Sequence, residues 1–293
     1  MANLKEVRLR ISSVKSTQQI TKAMKMVAAA KLKRAQDNII KLRPYATKLN
    51  EVLGRVSSGE TQSVFCQEKA ATDKVLVVLI TSDRGLCGAF NSNVIKGAIK
   101  TVETTYVEQF SAGNVDVLTI GKKGNEALAR KQYQLNSDFV GLFSSVLFED
   151  VKAAPEFIME AFEKGTYDKV DIVFNEFKNV ATQEVKVQQF LPLVEEEKAE
   201  STATEATADY IFEPSKEYIE EELIPQSLKI QFYKAVLESN ASEHGARMTA
   251  MDKATDNAGE LLDDLKLVYN TTRQAHITKE ILEIVGGAAA LEN

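Results

Sequence analysis

The spacing of apolar residues divides the chain into three segments. In the first, Leu4, Val7, Ile11 and Val14 alternate steps of three and four, as a coiled-coil seam requires. The pattern slips near Gln18 and resumes through Ile20, Met24, Val27, Leu32 and Ile39. No glycine precedes Gly54, and good helix formers (Ala, Lys, Leu, Met, Gln) dominate. The pattern predicts one helix from about Ala2 to about Arg55, roughly 80 Å long at 1.5 Å per residue. A helix of that length needs a partner.

The last segment has the same grammar. Met251, Ala254, Ala258, Leu261, Leu265 and Val268 step by three and four. Between Gln226 and Val285 there is no proline and the only glycines are Gly245 and Gly259. Pro225 suits a first turn, where its missing N–H is harmless. A helix from Pro225 would run roughly 90 Å. Two such helices at opposite chain ends most simply pair antiparallel, with the intervening domain at one end of the rod.

The middle segment is different. Val75 to Thr81, Val115 to Ile120 and Val170 to Phe174 are short apolar runs rich in Val and Ile. Helical stretches near Asn91–Phe110, Asn125–Lys131 and Val151–Lys164 alternate with them, which predicts an open α/β sheet with parallel pairing. Val185 to Leu193 alternates in polarity and is expected as an edge or antiparallel strand. From Glu195 to Glu222 the chain is acidic, an exposed loop and then an approach to the last helix.

Composition narrows the chemistry. The chain has 293 residues, two histidines, two cysteines and no tryptophan. Cys66 and Cys87 cannot build a disulfide scaffold or a four-ligand zinc site. No apolar run reaches the length of a membrane span, and no signal peptide is recognisable. The net charge of -6 conceals an asymmetry. Residues 1–36 carry nine Lys/Arg against Glu6 alone. That segment could be a targeting peptide, a membrane-surface helix or one strand of the rod with a basic face for an acidic partner. The unbroken helical pattern and the lack of aromatic anchors favour the third.

Candidate sites are few. Thr81-Ser82-Asp83-Arg84-Gly85-Leu86-Cys87-Gly88-Ala89-Phe90-Asn91 follows a strand and opens a helix, where open α/β sheets bind ligands. Its two glycines could admit a phosphate, form a tight turn, or shape a contact loop with Arg84 at its tip. Neither G-x-x-x-x-G-K-[ST] nor G-x-G-x-x-G occurs. Gly121-Lys122-Lys123-Gly124 reads better as a solvated turn. Cys87 has no histidine near it in sequence, and a small turn residue is the better reading than a nucleophile. Asp263 and Asp264 are adjacent and so diverge on a helix. Met24, Met26, Met248 and Met251 suit seam or groove packing. The small, apolar end from Val285 to Leu291 is either a frayed tail or a tip inserted in a partner.

Longer strings carry a resemblance. Lys15-Ser16-Thr17-Gln18-Gln19-Ile20-Thr21-Lys22-Ala23-Met24-Lys25-Met26-Val27-Ala28 resembles the N-terminal signature of the gamma subunits of F-type ATP synthases. Ser82 to Gly88 with Asn91, Ser242 to Met248 with Ala254 to Ala258, and Ile277 to Ile281 with Ile284 to Ala288 are similar to three further signatures of that family, in the same order. The resemblance implies an α/β fold class in which an antiparallel coiled coil of N- and C-terminal helices joins a Rossmann-like globular domain without a cofactor. On that plan residues 1–57 form one shaft helix and 74–194 the foot. Residues 195–224 form the acidic loop and approach, and 225–293 the second shaft helix.

The resemblance further implies a central rotor stalk with no catalytic, cofactor or metal site of its own. Its partners would be a hexamer of alpha and beta subunits, the epsilon subunit and the c-ring, with no nucleic acid and no membrane association except through the complex. That complex would sit at the cytoplasmic face of a bacterial plasma membrane. Met24, Lys25, Arg84, Arg247, Arg273, Gln274, Thr278 and Glu280 match family positions that meet the beta subunits. Tyr210, Phe212 and Glu213 match the segment on the c-ring and epsilon. Val285, Ala288, Ala289 and Leu291 would form the tip in an apolar bearing. His276 departs from the small or neutral residue expected at its position.

Overall fold

In the computed structural model, residues 4–56, 63–67, 72–131, 133–144, 146–180, 182–193 and 216–291 are described. The first apolar pattern becomes one helix, α1 (Leu4–Val56), and the last becomes another, α7 (Lys216–Leu291). Between them lie β1 (Val75–Ile80), α2 (Phe90–Thr104), α3 (Val107–Ser111), β2 (Val115–Ile120), α4 (Lys122–Leu128) and β3 (Gln134–Asn136). There follow α5 (Phe148–Val151), α6 (Ala153–Glu163), β4 (Lys169–Phe177) and β5 (Gln183–Leu191). The chain divides into two units: residues 1–29 with 247–293, and residues 30–246.

In the second unit the five strands form one sheet in the order β3-β2-β1-β4-β5. The first four are parallel and β5 runs antiparallel to β4 at the edge, as its alternating sequence led us to expect. Every residue of β1 is buried, because helices cover both faces of the sheet. Such double coverage is why the strand reads as an unbroken apolar run. On one face Leu76, Val78, Ile80, Leu118 and Ile172 pack with Ile158 and Phe162 of α6 and with Leu228, Phe232 and Val236 of α7. On the other, Val75, Val77, Leu79 and Val117 pack with Val94, Ala98 and Val102 of α2.

Three boundaries differ from expectation. α7 starts at Lys216, so Pro225 lies inside it rather than at its first turn. The helix expected to run from Asn91 to Phe110 is two helices, α2 ending at Thr104 and α3 starting at Val107. The Gly-Lys-Lys-Gly segment is not a solvated turn: Gly121 caps α4 at φ +94° and Gly124 is buried in it.

The α1 seam also differs. It does not slip at Gln18. Leu4, Val7, Ile11, Val14, Gln18, Thr21, Lys25, Ala28, Leu32, Ala35 and Ile39 are all buried or half-buried, in unbroken steps of three and four. Ile20 and Val27, expected in the seam, are each 57% exposed. The apolar pattern seemed to slip because the seam is polar from Gln18 to Lys25. On α7 the facing row is Met251, Thr255, Ala258, Leu262, Leu265, Tyr269 and Thr272, while Leu261 and Val268 are exposed.

Candidate functional site

The residues singled out by the sequence fall in three places. The first is the polar stretch of the helical unit. Thr21 and Thr255 hydroxyls lie 2.8 Å apart across the seam, and Gln18 Nε2 donates to Thr255 O at 3.4 Å. Gly259 leaves room for this amide, since a Cβ there would lie 3.2 Å from Gln18 Nε2. Lys25 pairs with Asp252 across the helices, and both remain partly exposed. An open cleft of about 530 Å³ follows, lined by Gln18, Lys22, Lys25, Asp252, Thr255 and Asp256. Met26 also lines it, and Met24 is half-buried on the same helix. Arg247 is buried, only 9% exposed, rather than displayed on the surface.

On the outer surface of α1 two rows diverge. Arg8, Lys15 and Lys22 recur every seven residues, and all are exposed. Ser13, Ile20 and Val27 form a second row at the same interval, uncharged and also exposed. One of these rows is therefore basic and the other uncharged.

The second place is the end of α7. Pairs Lys25–Asp252 and Thr21–Thr255 set an antiparallel stagger that brings Leu4 level with Thr272. Past Thr272 every residue through Ala288 is exposed. The seam row itself turns polar there, at His276, Lys279 and Glu283. Apolar side chains instead follow Ile277, Ile281 and Ile284, one or two positions on, with Ile284 71% exposed. The helix thus carries an apolar stripe rotated off the face that met α1. Arg273, Gln274, Thr278 and Glu280 all lie on this exposed part. Glu280 Oε1 is 3.4 Å from His276 Nδ1, an ion pair only when the imidazole is protonated. Val285 and Ala288 are exposed; Ala289 and Leu291 continue the helix. Tyr210, Phe212 and Glu213 lie outside the described residues.

The third place is the C-terminal end of the parallel strands. Both glycine loops there use their polar groups internally. Lys122 N donates to Asp83 Oδ1 at 3.1 Å, Lys123 N to Ser82 O at 3.1 Å and Gly124 N to Thr81 Oγ1 at 2.9 Å. These are the amides a phosphate would need. Ser82 N donates to Asn91 Oδ1 at 3.0 Å. Between β1 and β4, where the strand order reverses, the crevice is filled by the chain itself. Ser242 Oγ of α7 donates to Asn175 O at 3.0 Å, Asn175 Nδ2 donates to Phe90 O at 3.4 Å, and Ala246 packs on Cys87 and Phe90. The site that α/β sheets offer to a ligand is occupied by a helix. Arg84 and Leu86 are exposed on the rim, and Cys87 is buried.

Sequence reasoning missed the polar seam and the plug. Holding the seam strictly to three and four would have found Gln18, Thr21 and Thr255. Nothing local in Ser242 or Ala246 signals the plug. Among the described residues no cluster of three His, Cys, Asp or Glu side chains could hold a metal ion. No helix among them is long and apolar enough to cross a membrane.

Comparison with known proteins gives a consistent result. A family described as ATP synthase matches residues 3–291. The chain is similar to the ATP synthase gamma chain of Cytophaga hutchinsonii, with 54% identity over 296 residues and 100% of both chains covered. It is likewise similar to that of Flavobacterium johnsoniae, with 54% identity over 295 residues and 99% of each covered. Among solved structures it resembles a chain from the central stalk and c-ring of Tetrahymena thermophila mitochondrial ATP synthase. There the identity is 27% and the TM-score 0.57, with 80% of this chain and 99% of that one covered. A chain from Euglena gracilis mitochondrial ATP synthase shares the fold, at 22% identity and TM-score 0.64, covering 98% and 94%.

Proposed function

The chain belongs to the ATP synthase gamma-chain family, and on that premise we propose that it carries rotation from the membrane c-ring to the catalytic beta subunits. As a gamma chain it is a non-catalytic subunit of the central stalk. In the proposed role the helical unit turns inside a hexamer of alpha and beta subunits. The sheet unit stands on the c-ring with epsilon, at the cytoplasmic face of a bacterial plasma membrane.

One observation carries this reading. The end of α7 is a single helix with an exposed stripe of Ile277, Ile281 and Ile284 that α1 does not reach. An isolated helix with such a stripe needs an enclosing partner. A sleeve formed by several subunits supplies one, with Val285, Ala288, Ala289 and Leu291 at the bearing and Arg273, Gln274, Thr278 and Glu280 just before it.

Coupling requires that each orientation of the shaft favour a different state of each beta subunit. A shaft with equal contacts all round would couple nothing. The basic row Arg8-Lys15-Lys22 and the uncharged row Ser13-Ile20-Val27 supply the necessary inequality. A beta lever rich in carboxylates would be held as the basic row passes and released as the uncharged row follows. Met24, Lys25 and Arg247 belong to the stretch where this exchange is proposed. Arg84 meets the same levers from its loop, and Tyr210, Phe212 and Glu213 serve the c-ring and epsilon.

Affinity purification through a tag on this chain tests the reading. Alpha, beta, epsilon and the c-ring are expected to come with it as one ATPase coupled to proton movement. Recovery of the chain free of these subunits, from membranes that retain ATPase activity, would contradict it.

A further inference from the structure

Glycine weakens a helix interior relative to alanine, yet Gly245 stands well inside α7. Its neighbours give the reason. The atoms nearest to a Cβ there would be Phe177 Cε2 at 3.3 Å, Val180 O at 3.7 Å and Gln183 Nε2 at 3.8 Å. All three belong to the β4–β5 hairpin, so its end lies against the bare backbone of α7. The hairpin reaches α1 as well. Phe177 and Val180, both half-buried, pack on Leu32 and Ala35 of α1 and on Ala241 of α7. These contacts fall at the border of the sheet unit, which spans Ala30–Ala246. The hairpin end is tied by its own polar groups: Gln183 Nε2 donates to Val180 O at 2.9 Å, and Thr182 N to Asn179 Oδ1 at 2.7 Å. Glu176 and Glu184 stand opposite each other on the two strands, and each is paired with a lysine, Lys186 at 3.1 Å and Lys178 at 2.5 Å. Deeper in the unit the two helices are held unequally. α7 packs on the sheet core through Leu228, Phe232 and Val236, whereas α1 meets that core at Leu53, near its far end.

We propose that the end of the β4–β5 hairpin is a brace that holds α1 to α7 at the border of the sheet unit, with Phe177 and Val180 as its contacts and Gly245 as its seat. Small residues at Ala35, Ala241 and Gly245 let the hairpin come close to both helices. Without it, the sheet would hold α7 directly and α1 only near its far end. The inference rests on the reading of the chain as a rotor. A twist of the sheet unit must reach both helices if they are to turn as one shaft, and the brace passes it to α1. Phe177, Val180 and Gly245 are then positioning residues for the transmission of rotation.

Gly245→Leu fills the seat with a good helix former, and Phe177→Ala with Val180→Ala removes the contacts. In the purified full chain, the amides of residues 32–39 are expected to exchange about tenfold faster or more in both variants, while those of β1 keep their protection. Unchanged exchange at residues 32–39 would overturn the proposal. So would faster exchange throughout β1, which would make the hairpin a support of the sheet alone. In the alpha–beta–gamma complex, with α7 fixed to beta by a disulfide, a bead on the sheet unit is expected to swing over a wider angle in both variants. Faster exchange with an unchanged swing would deny the brace its part in transmission. A disulfide that stops neither bead nor hydrolysis would overturn the rotor reading, and the exchange at residues 32–39 would still decide the brace.

Discussion

Gly121→Ala tests whether the second glycine loop serves packing or a ligand. A Cβ at this position would lie 2.1 Å from Thr81 O and 2.6 Å from Thr81 C, both backbone atoms that cannot swing aside. The residue also sits at φ +94°, where an L side chain costs about 1–3 kcal/mol. Relieving the overlap means parting the ends of β1 and β2. That breaks Thr81 N to Ile120 O at 2.8 Å and Thr81 Oγ1 to Gly121 O at 3.2 Å. At about 1 kcal/mol per hydrogen bond the total is about 3–5 kcal/mol, a large share of a typical domain's stability. Native-state hydrogen exchange at the amides of β1 and β2 reads the local loss directly. Gly85→Ala is the control: nothing lies within 4 Å of its added Cβ, and a change within about 0.5 kcal/mol is expected. A loss below about 1 kcal/mol for Gly121→Ala would refute the packing argument. Protection of these amides by ATP would restore the phosphate reading.

Three further outcomes are expected. Ser239 Oγ of α7 is buried without a hydrogen-bond partner, so Ser239→Ala should raise stability by about 1 kcal/mol in urea titrations; a decrease would show a partner was lost. Burial pushes the Asp171 carboxyl above the ordinary carboxylate range, against the opposing pull of the Tyr106 hydroxyl, which donates to it at 2.5 Å. A raised carboxyl contributes stability that is present at low pH and lost as pH rises through its folded value, so Asp171→Asn should gain on the parent as pH rises above the ordinary carboxylate range of about 4. A constant difference in melting temperature would contradict that. Replacing Ile277 and Ile281 by Ser should leave the melting of the chain unchanged, since both are exposed, yet lower ATP synthesis in reconstituted vesicles; full synthesis would remove the bearing role.

The sheet was legible because its strands are buried on both faces. Val75 to Ile80 and Val115 to Ile120 could be read almost to the residue. β3 was not, because Gln134-Leu135-Asn136 is three residues long and carries no apolar run. The helices were legible as helices, but their seams were only half read. Ile20 and Val27 are apolar and well spaced, yet they point outward, while Gln18 and Thr21 point inward. Hydrophobicity alone does not say which of two well-spaced rows meets the other helix, and on α1 an exposed row and the seam row compete for the same signal. The loop at Ser82 to Asn91 shows another limit. Its Arg84 was legible as an exposed residue, but the left-handed backbone of Leu86 is imposed by Asn91, Ser82 and Cys87 together, and no single residue type announces it. The start of α7 was misplaced for a related reason: Pro225 resembles a first turn, but the helix continues upstream through Lys216.

Rotation of this chain within the assembled complex tests the central claim most directly. A bead fixed to the sheet unit of a surface-immobilised alpha–beta–gamma complex can be followed by microscopy while ATP is hydrolysed. Stepwise rotation in one direction is predicted, halted by a disulfide placed between α7 and a beta subunit and restored on reduction. A bead that stays still on a complex hydrolysing ATP at its full rate, or hydrolysis indifferent to that disulfide, would contradict the account.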